Sequence, residues 1–201
     1  MIDLHPSARR MISVVTTVQD TQLAVPTPCP DASVGDLIDH VGVFAVRFTA
    51  AARKESSRPP VPPPTPSGAN LEAGWRDRIS RDLMALADAW HDPQAWEGNS
   101  DAGGREMPAE VVGLVALDEL IVHGWDIAVA GGQPYDAPSA ELDVALGFVA
   151  SFDAPRDGTL FGPIVAVDDD APPLDRLLGM TGRDPTWQPS RAGRDRAGQL
   201  P

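Results

Sequence analysis

The stretch from about Pro108 to Ala130, PAEVVGLVALDELIVHGWDIAVA, constrains this chain more than any other. It is long enough for a six-turn helix, and apolar residues occur around nearly its whole circumference. Such a helix has to lie inside a protein with other helices packed around it. Yet it carries Asp118, Glu119, His123 and Asp126. A buried carboxylate without a partner is costly, and charges found in cores are paired or bound to metal. The architecture and the chemistry therefore both turn on what surrounds this segment.

Other helical signals supply the surroundings. A first helix is expected over about 6–21, ending before the proline-rich AVPTPCPD. Ser33 reads as an N-cap with Asp36 three residues on, a weak capping box because Glu or Gln is the usual third residue. A second helix over about 34–54 places Leu37, Val41, Phe44 and Phe48 on one stripe. His40 falls beside that stripe. SSRPPVPPPTPSGAN, residues 56–70, holds six prolines and reads as an exposed linker. A third helix over about 71–91 has Trp75, Ile79, Leu83, Leu86 and Trp90 at helical spacing. After a polar, Gly-rich loop (EGNSDAGGRE), Pro108 suits the first turn of the fourth helix, which stops at Gly131 and Gly132. A fifth, over about 138–151, carries Leu142, Leu146 and Val149, and a short one is expected over 172–180. The pattern predicts an all-α four-helix bundle with an extra helix and a short irregular C-terminal segment, one domain over 1–187, with a disordered tail over 188–201.

Composition narrows the partners. The chain has 201 residues and a formal net charge of -13. Such a charge repels phosphate backbones, which argues against nucleic acid and anionic membranes. Cys29 is the single cysteine, so no internal disulfide can form. The N-terminus lacks the apolar run of a signal peptide, and the four polar residues in 118–126 break the longest apolar stretch. A cytoplasmic location is expected.

The fourth helix presents a specific constellation. Glu119 and His123 are four residues apart and only ~40° off one line, so they stand side by side. Asp118 points ~140° away from His123. Asp126, three beyond His123, can reach its outer ring nitrogen. Of the four histidines, His5 precedes a proline near the chain start and is expected to be loose, and His91 ends the third helix in WHDP. His40 lies mid-helix near the apolar stripe. His40, Glu119 and His123 thus form a candidate two-histidine, one-carboxylate metal site. Three protein ligands leave positions open, as in catalytic centres. In that reading Asp126 accepts from the outer ring nitrogen of His123 and so orients the ring. The alternatives stay open: Glu-x-x-x-His pairs arise by chance, a histidine near a core is often simply hydrogen-bonded, and Asp126 could be a solvated surface acid. Cys29 reads as a packed residue or, less favoured, a fourth ligand or reactive thiol. Trp125 is core or pocket lining. Asp168, Asp169 and Asp170 lack EF-hand spacing and read as a solvated turn.

DLIDHV around His40, DELIVHGWDIA around His123, TPCPDASVGDLIDHV (27–41) and APPLDRLLGMTGRDPTW (171–187) together resemble the DinB-like metal-binding helical bundle superfamily. More narrowly, they resemble the actinobacterial group containing the N-terminal domain of mycothiol-dependent maleylpyruvate isomerase. The resemblance implies a bundle holding a divalent metal near one end, commonly zinc, with nickel or iron as alternatives. Many relatives use three histidines; the isomerase branch has a glutamate in place of one, where this chain has Glu119. It implies mycothiol, or a similar small thiol, as cofactor or co-substrate, with an electrophilic substrate as the other partner. Arg47 and Arg76 are candidate carboxylate contacts, with ordinary surface arginines the favoured reading. The isomerase has a further C-terminal domain that this chain does not match, which weighs against maleylpyruvate as substrate. The expected function is a metal-dependent thiol transferase or isomerase-like enzyme. The alternatives are a non-catalytic metal-binding bundle, whose metal supports the fold or a partner interface, and a plain helical interaction protein. A homodimer is compatible with such a bundle.

Overall fold

A computed structural model describes residues 1–55, 65–101, 106–152, 156 and 160–189. Most of the expected linker (56–64) and of the expected tail (190–201) lie outside these residues. Among the described residues six α-helices account for the fold: α1 (His5–Thr17), α2 (Val34–Ala52), α3 (Trp75–Trp90), α4 (Ala109–Ala130), α5 (Ser139–Ser151) and α6 (Pro173–Met180). The principal contacts are α1 with α3, α3 with α2, α2 with α4, and α4 with α1. They close a ring in which α2 lies against α4, while α5 and α6 pack on each other and α5 on α4. The architecture is an all-α bundle with extra helices. Among the described residues no helix is long and apolar enough to cross a membrane.

The stripes read in the sequence form the core. Leu37, Val41, Phe44, Trp75, Ile79, Leu83, Leu86 and Trp90 are all buried. In α4, Leu117, Leu120, Ile121 and Ile127 are fully inaccessible, and Val122 and Trp125 on another side of the helix are buried against Leu178 of α6. This explains the apolar circumference: the bundle covers one side and the C-terminal segment covers another. At Gly113 the indole of Trp96 lies so close that an added Cβ would come within 2.5 Å of its ring. Trp90, also against Gly113, donates its indole N–H to the Phe48 carbonyl at 3.0 Å.

The element boundaries depart from expectation in four places. α1 stops at Thr17 rather than about 21 because Val18 turns to extended backbone (φ -60, ψ 129), and Asp20–Gln22 form a separate 3-10 turn capped reciprocally by Gln19 and Gln22. α3 begins at Trp75, after Gly74 adopts φ +80. The preceding residues 68–70 form a 3-10 turn docked on α2: Gly68 N–H donates to Asp36 Oδ1 at 2.8 Å, and Ser67 N–H and Asn70 Nδ2 donate to Asp39 Oδ2 at 3.0 and 2.8 Å. The C-terminal end of the proline-rich segment is therefore fixed. The loop before α4 contains a small antiparallel pair, β1 (Asn99–Asp101) with β2 (Glu106–Pro108), and Pro108 caps α4 with extended backbone instead of entering it.

Candidate metal centre

The capping box at Ser33 sets the start of α2 and hence the phase of His40. Ser33 Oγ accepts from the Asp36 N–H at 3.2 Å, and Asp36 Oδ2 accepts from the Ser33 N–H at 2.9 Å and its hydroxyl at 2.7 Å. These bonds hold the Asp36 carboxyl below its usual value, so a short Asp serves where Glu is usual. Two turns on, the His40 ring meets Phe44 edge-on at 5.5 Å and leans across to α4.

On α4 the one-turn spacing places Glu119 and His123 together as expected. Glu119 Oε2 lies 3.1 Å from His123 Nε2 and 3.2 Å from His40 Nε2. The two imidazoles meet edge to face, with centroids 5.0 Å apart. His123 Nδ1 lies 3.0 Å from Asp126 Oδ2. Side-chain exposure falls from 32% at His40 through 18% at Glu119 and 11% at His123 to zero at Asp126. The cluster thus opens on the His40 side and is sealed at Asp126.

Charge makes the cluster asymmetric. Burial alone pushes the Glu119 carboxyl up, but the charge of His123 and hydrogen bonds from both imidazoles bring it well below its ordinary value. Burial opposes the His123 cation, yet Glu119 and Asp126 outweigh it and raise the imidazole to about 10. Asp118, beside Glu119 in sequence but facing elsewhere, is buried with Oδ1 lacking a hydrogen-bond partner, and burial and the Glu119 charge raise it to about 7. His40, Glu119 and His123 could hold one cation, because their ligand atoms all lie within 4.8 Å of one another. The donor set fits: both Nε2 atoms converge on a carboxylate oxygen, and Nδ1 of His123 has a separate acceptor. A carboxylate behind a ligating histidine is the usual outer arrangement at such centres.

The model of the mycothiol maleylpyruvate isomerase N-terminal domain matches residues 4–128. The chain belongs to that family. Two curated relatives, uncharacterized proteins of Mycobacterium tuberculosis from strains CDC 1551 and H37Rv, are each 28% identical over 175 residues, covering 85% of this chain and 90% of the relative. No solved structure matches the chain at a significant level.

In this member of the isomerase N-terminal domain family, sequence reasoning missed one contact of the cluster. Arg183 Nη2 donates to Asp126 Oδ2 at 3.1 Å, and Nη1 donates to the Thr181 carbonyl at 2.9 Å. Its GRDP setting was the available signal. Cys29, in the connection before α2, is half-buried with its sulfur within 4.8 Å of ligand atoms of His123 and Asp126. Burial pushes its thiol up, so it stays protonated at neutral pH, as suits a packed residue. Arg76 does not face the cluster; it stacks on Trp75 and bonds the Val18 carbonyl and Asp20. His5 is not loose. Its two ring nitrogens lie 2.7 Å from Asp3 and 2.9 Å from Asp88, and its ring meets that of exposed His91.

Proposed function

We propose that this chain is a divalent-metal-dependent enzyme acting with a small thiol of the mycothiol type, a transferase or isomerase-like catalyst of attack on an electrophile. The observation that supports it is the convergence of His40 Nε2 and His123 Nε2, from two separate helices, on one oxygen of Glu119. Family membership adds the thiol, since the family is described by mycothiol maleylpyruvate isomerase.

His40, Glu119 and His123 would hold the ion, zinc in the first instance. With two neutral imidazoles and one carboxylate, a bound divalent ion keeps a net charge of +1 and supplies Lewis acidity, which lets a thiol ionise near neutral pH. The remaining tasks fall to the protein. Glu119, as a carboxylate ligand, would set the charge of the centre. Asp126 orients His123 from behind. The half-exposed flank at His40 is the approach for thiol and substrate.

Metal analysis of the full chain, purified without a histidine tag, tests this reading. The expected result is stoichiometric divalent metal in the wild type and its loss in His123→Ala. Absence of metal from the wild type overturns the reading. Mycothiol added to cobalt-substituted protein is expected to shift the visible absorption bands. If metal is retained but mycothiol neither shifts the bands nor registers by calorimetry, the metal serves the fold or a partner interface and the enzymatic reading fails.

A further inference from the structure

Arg183 reaches the centre by a route that begins in the backbone. α6 ends at Met180, followed by Thr181 and by Gly182 with φ +89. The Gly182 N–H donates to the Gly179 carbonyl at 3.2 Å, and the Arg183 N–H donates to the Leu178 carbonyl at 2.8 Å. This pair of bonds is a Schellman ending, which needs a left-handed residue at the position Gly182 fills. It cannot easily be replaced, because a Cβ there would lie 2.9 Å from Gly162 Cα. Leu178, one turn back, packs on Val122 and Trp125 of α4. The ending therefore projects Arg183 onto the same helix, at Asp126.

The contact is a buried ion pair. Asp126 has no exposure and Arg183 only 9%. One carboxylate oxygen, Asp126 Oδ2, takes both His123 Nδ1 and Arg183 Nη2. Arg183 Nε and Asp126 Oδ1 are buried without a hydrogen-bond partner. A pair of this kind is poor value as a mere fastening, because desolvation offsets much of its attraction. It has a clear use in orientation: Asp126 fixed from the far side cannot rotate away from Nδ1, so Nε2 is the nitrogen that faces Glu119 and His40. Arg183 is also the countercharge to the Asp126 carboxylate, which is shut off from water.

Resting on the metal reading above, we propose that Arg183 is a positioning residue of the centre, acting through Asp126 to fix the His123 ring with Nε2 toward the ion. It lies beyond the residues matched by the family model, so the C-terminal segment of this chain completes a site otherwise built from α2 and α4.

The test uses the full untagged chain as wild type, Arg183→Met, Arg183→Lys, Asp126→Asn and the Asp126→Asn/Arg183→Met double variant. Zinc affinity is read by competition with a chromogenic chelator and ligand geometry by the cobalt(II) absorption spectrum. Arg183→Met is expected to weaken zinc by about 10–100-fold, the usual effect of outer partners, and to alter the cobalt bands; Arg183→Lys recovers part of both. The double variant is expected to bind no more weakly than Asp126→Asn, since the two residues act in series. Wild-type affinity and bands in Arg183→Met, or losses that multiply in the double variant, overturn the proposal. Nitrogen-15 histidine spectra of zinc-loaded wild type need no variant: a protonated Nδ1 and a ligated Nε2 at His123 are expected, and ligation through Nδ1 overturns it. A wild type that binds neither zinc nor cobalt refutes the metal reading itself, a result separate from any behaviour of the Arg183 variants.

Discussion

At the scale of single residues, two adjacent acids on α4 have opposite circumstances. Glu119 shares an oxygen between two imidazoles and is held ionised. Asp118 has a partnerless buried oxygen and is raised to about 7. Glu119→Gln is expected to weaken zinc by more than the ~10–100-fold typical of outer partners, while Asp118→Asn leaves zinc affinity nearly unchanged; chelator competition measures both. Equal losses would contradict the facing deduced from helical spacing. That spacing made Glu119, His123 and Asp126 legible in the sequence, because residues three and four apart on one helix have a fixed relation. His40 was legible because it was the histidine set mid-helix beside an apolar stripe. Arg183 was not, since its contact spans 57 positions and depends on a helix ending rather than a periodicity. The anchoring of His5 is hidden in the sequence for the same reason: its partner Asp88 is 83 positions away.

At the scale of elements, the long helices and their inward stripes were readable, and what escaped was short. β1 (NSD) offers none of the β-branched or aromatic residues that mark strands, and each strand has only three residues. Two contacts between elements can be tested by stability. Gly113 lets Trp96 and Trp90 close against α4. Gly113→Ala gains helix propensity but has to displace an indole, so a net loss of about 1–3 kcal/mol is expected by urea unfolding, as for other overpacked cores. The second contact joins the start of α1 to the end of α3 through His5 and Asp88. Hydrogen bonds from His5 to Asp88 and then Asp3 raise its folded-state value above the ordinary 6.5. Its stabilising contribution is therefore full below about pH 6.5 and disappears as pH climbs through the raised value. His5→Gln is expected to lower the melting temperature at pH 6 and to match the wild type at alkaline pH. A gap that widens with pH would assign the opposite sign to this pair.

At the scale of the molecule, α1 to α4 form a ring with the candidate centre between α2 and α4, and among the described residues one buried and one part-buried ion pair fasten the C-terminal third to that ring. Arg183 with Asp126 ties the end of α6 to α4. Glu141 of α5 is the other anchor: its Oε2 accepts from Ser7 Oγ at 2.7 Å and Arg10 Nη1 at 3.0 Å, both on α1. Glu141 is 4% exposed and Ser7 fully buried, so Glu141→Ala leaves the Ser7 hydroxyl without its acceptor and removes the carboxylate that Arg10 pairs with. Arg10 keeps partial access to water, so removing Glu141 costs about 1–3 kcal/mol for the stranded polar groups, whereas replacing both sides of such a pair with apolar groups of similar size costs little. Glu141→Ala is thus expected to lower the unfolding free energy by that amount, and Glu141→Leu with Arg10→Met to recover most of it. Neither change touches His40, Glu119, His123 or Asp126, so zinc affinity of the folded protein is expected to stay at the wild-type level in both. If Glu141→Ala releases zinc as readily as Arg183→Met, the two fastenings are equivalent, and the C-terminal segment supports the centre only by keeping the bundle assembled. If stability falls while zinc is retained, the two roles separate: α5 holds the fold, and the end of α6 holds the metal ligand in place.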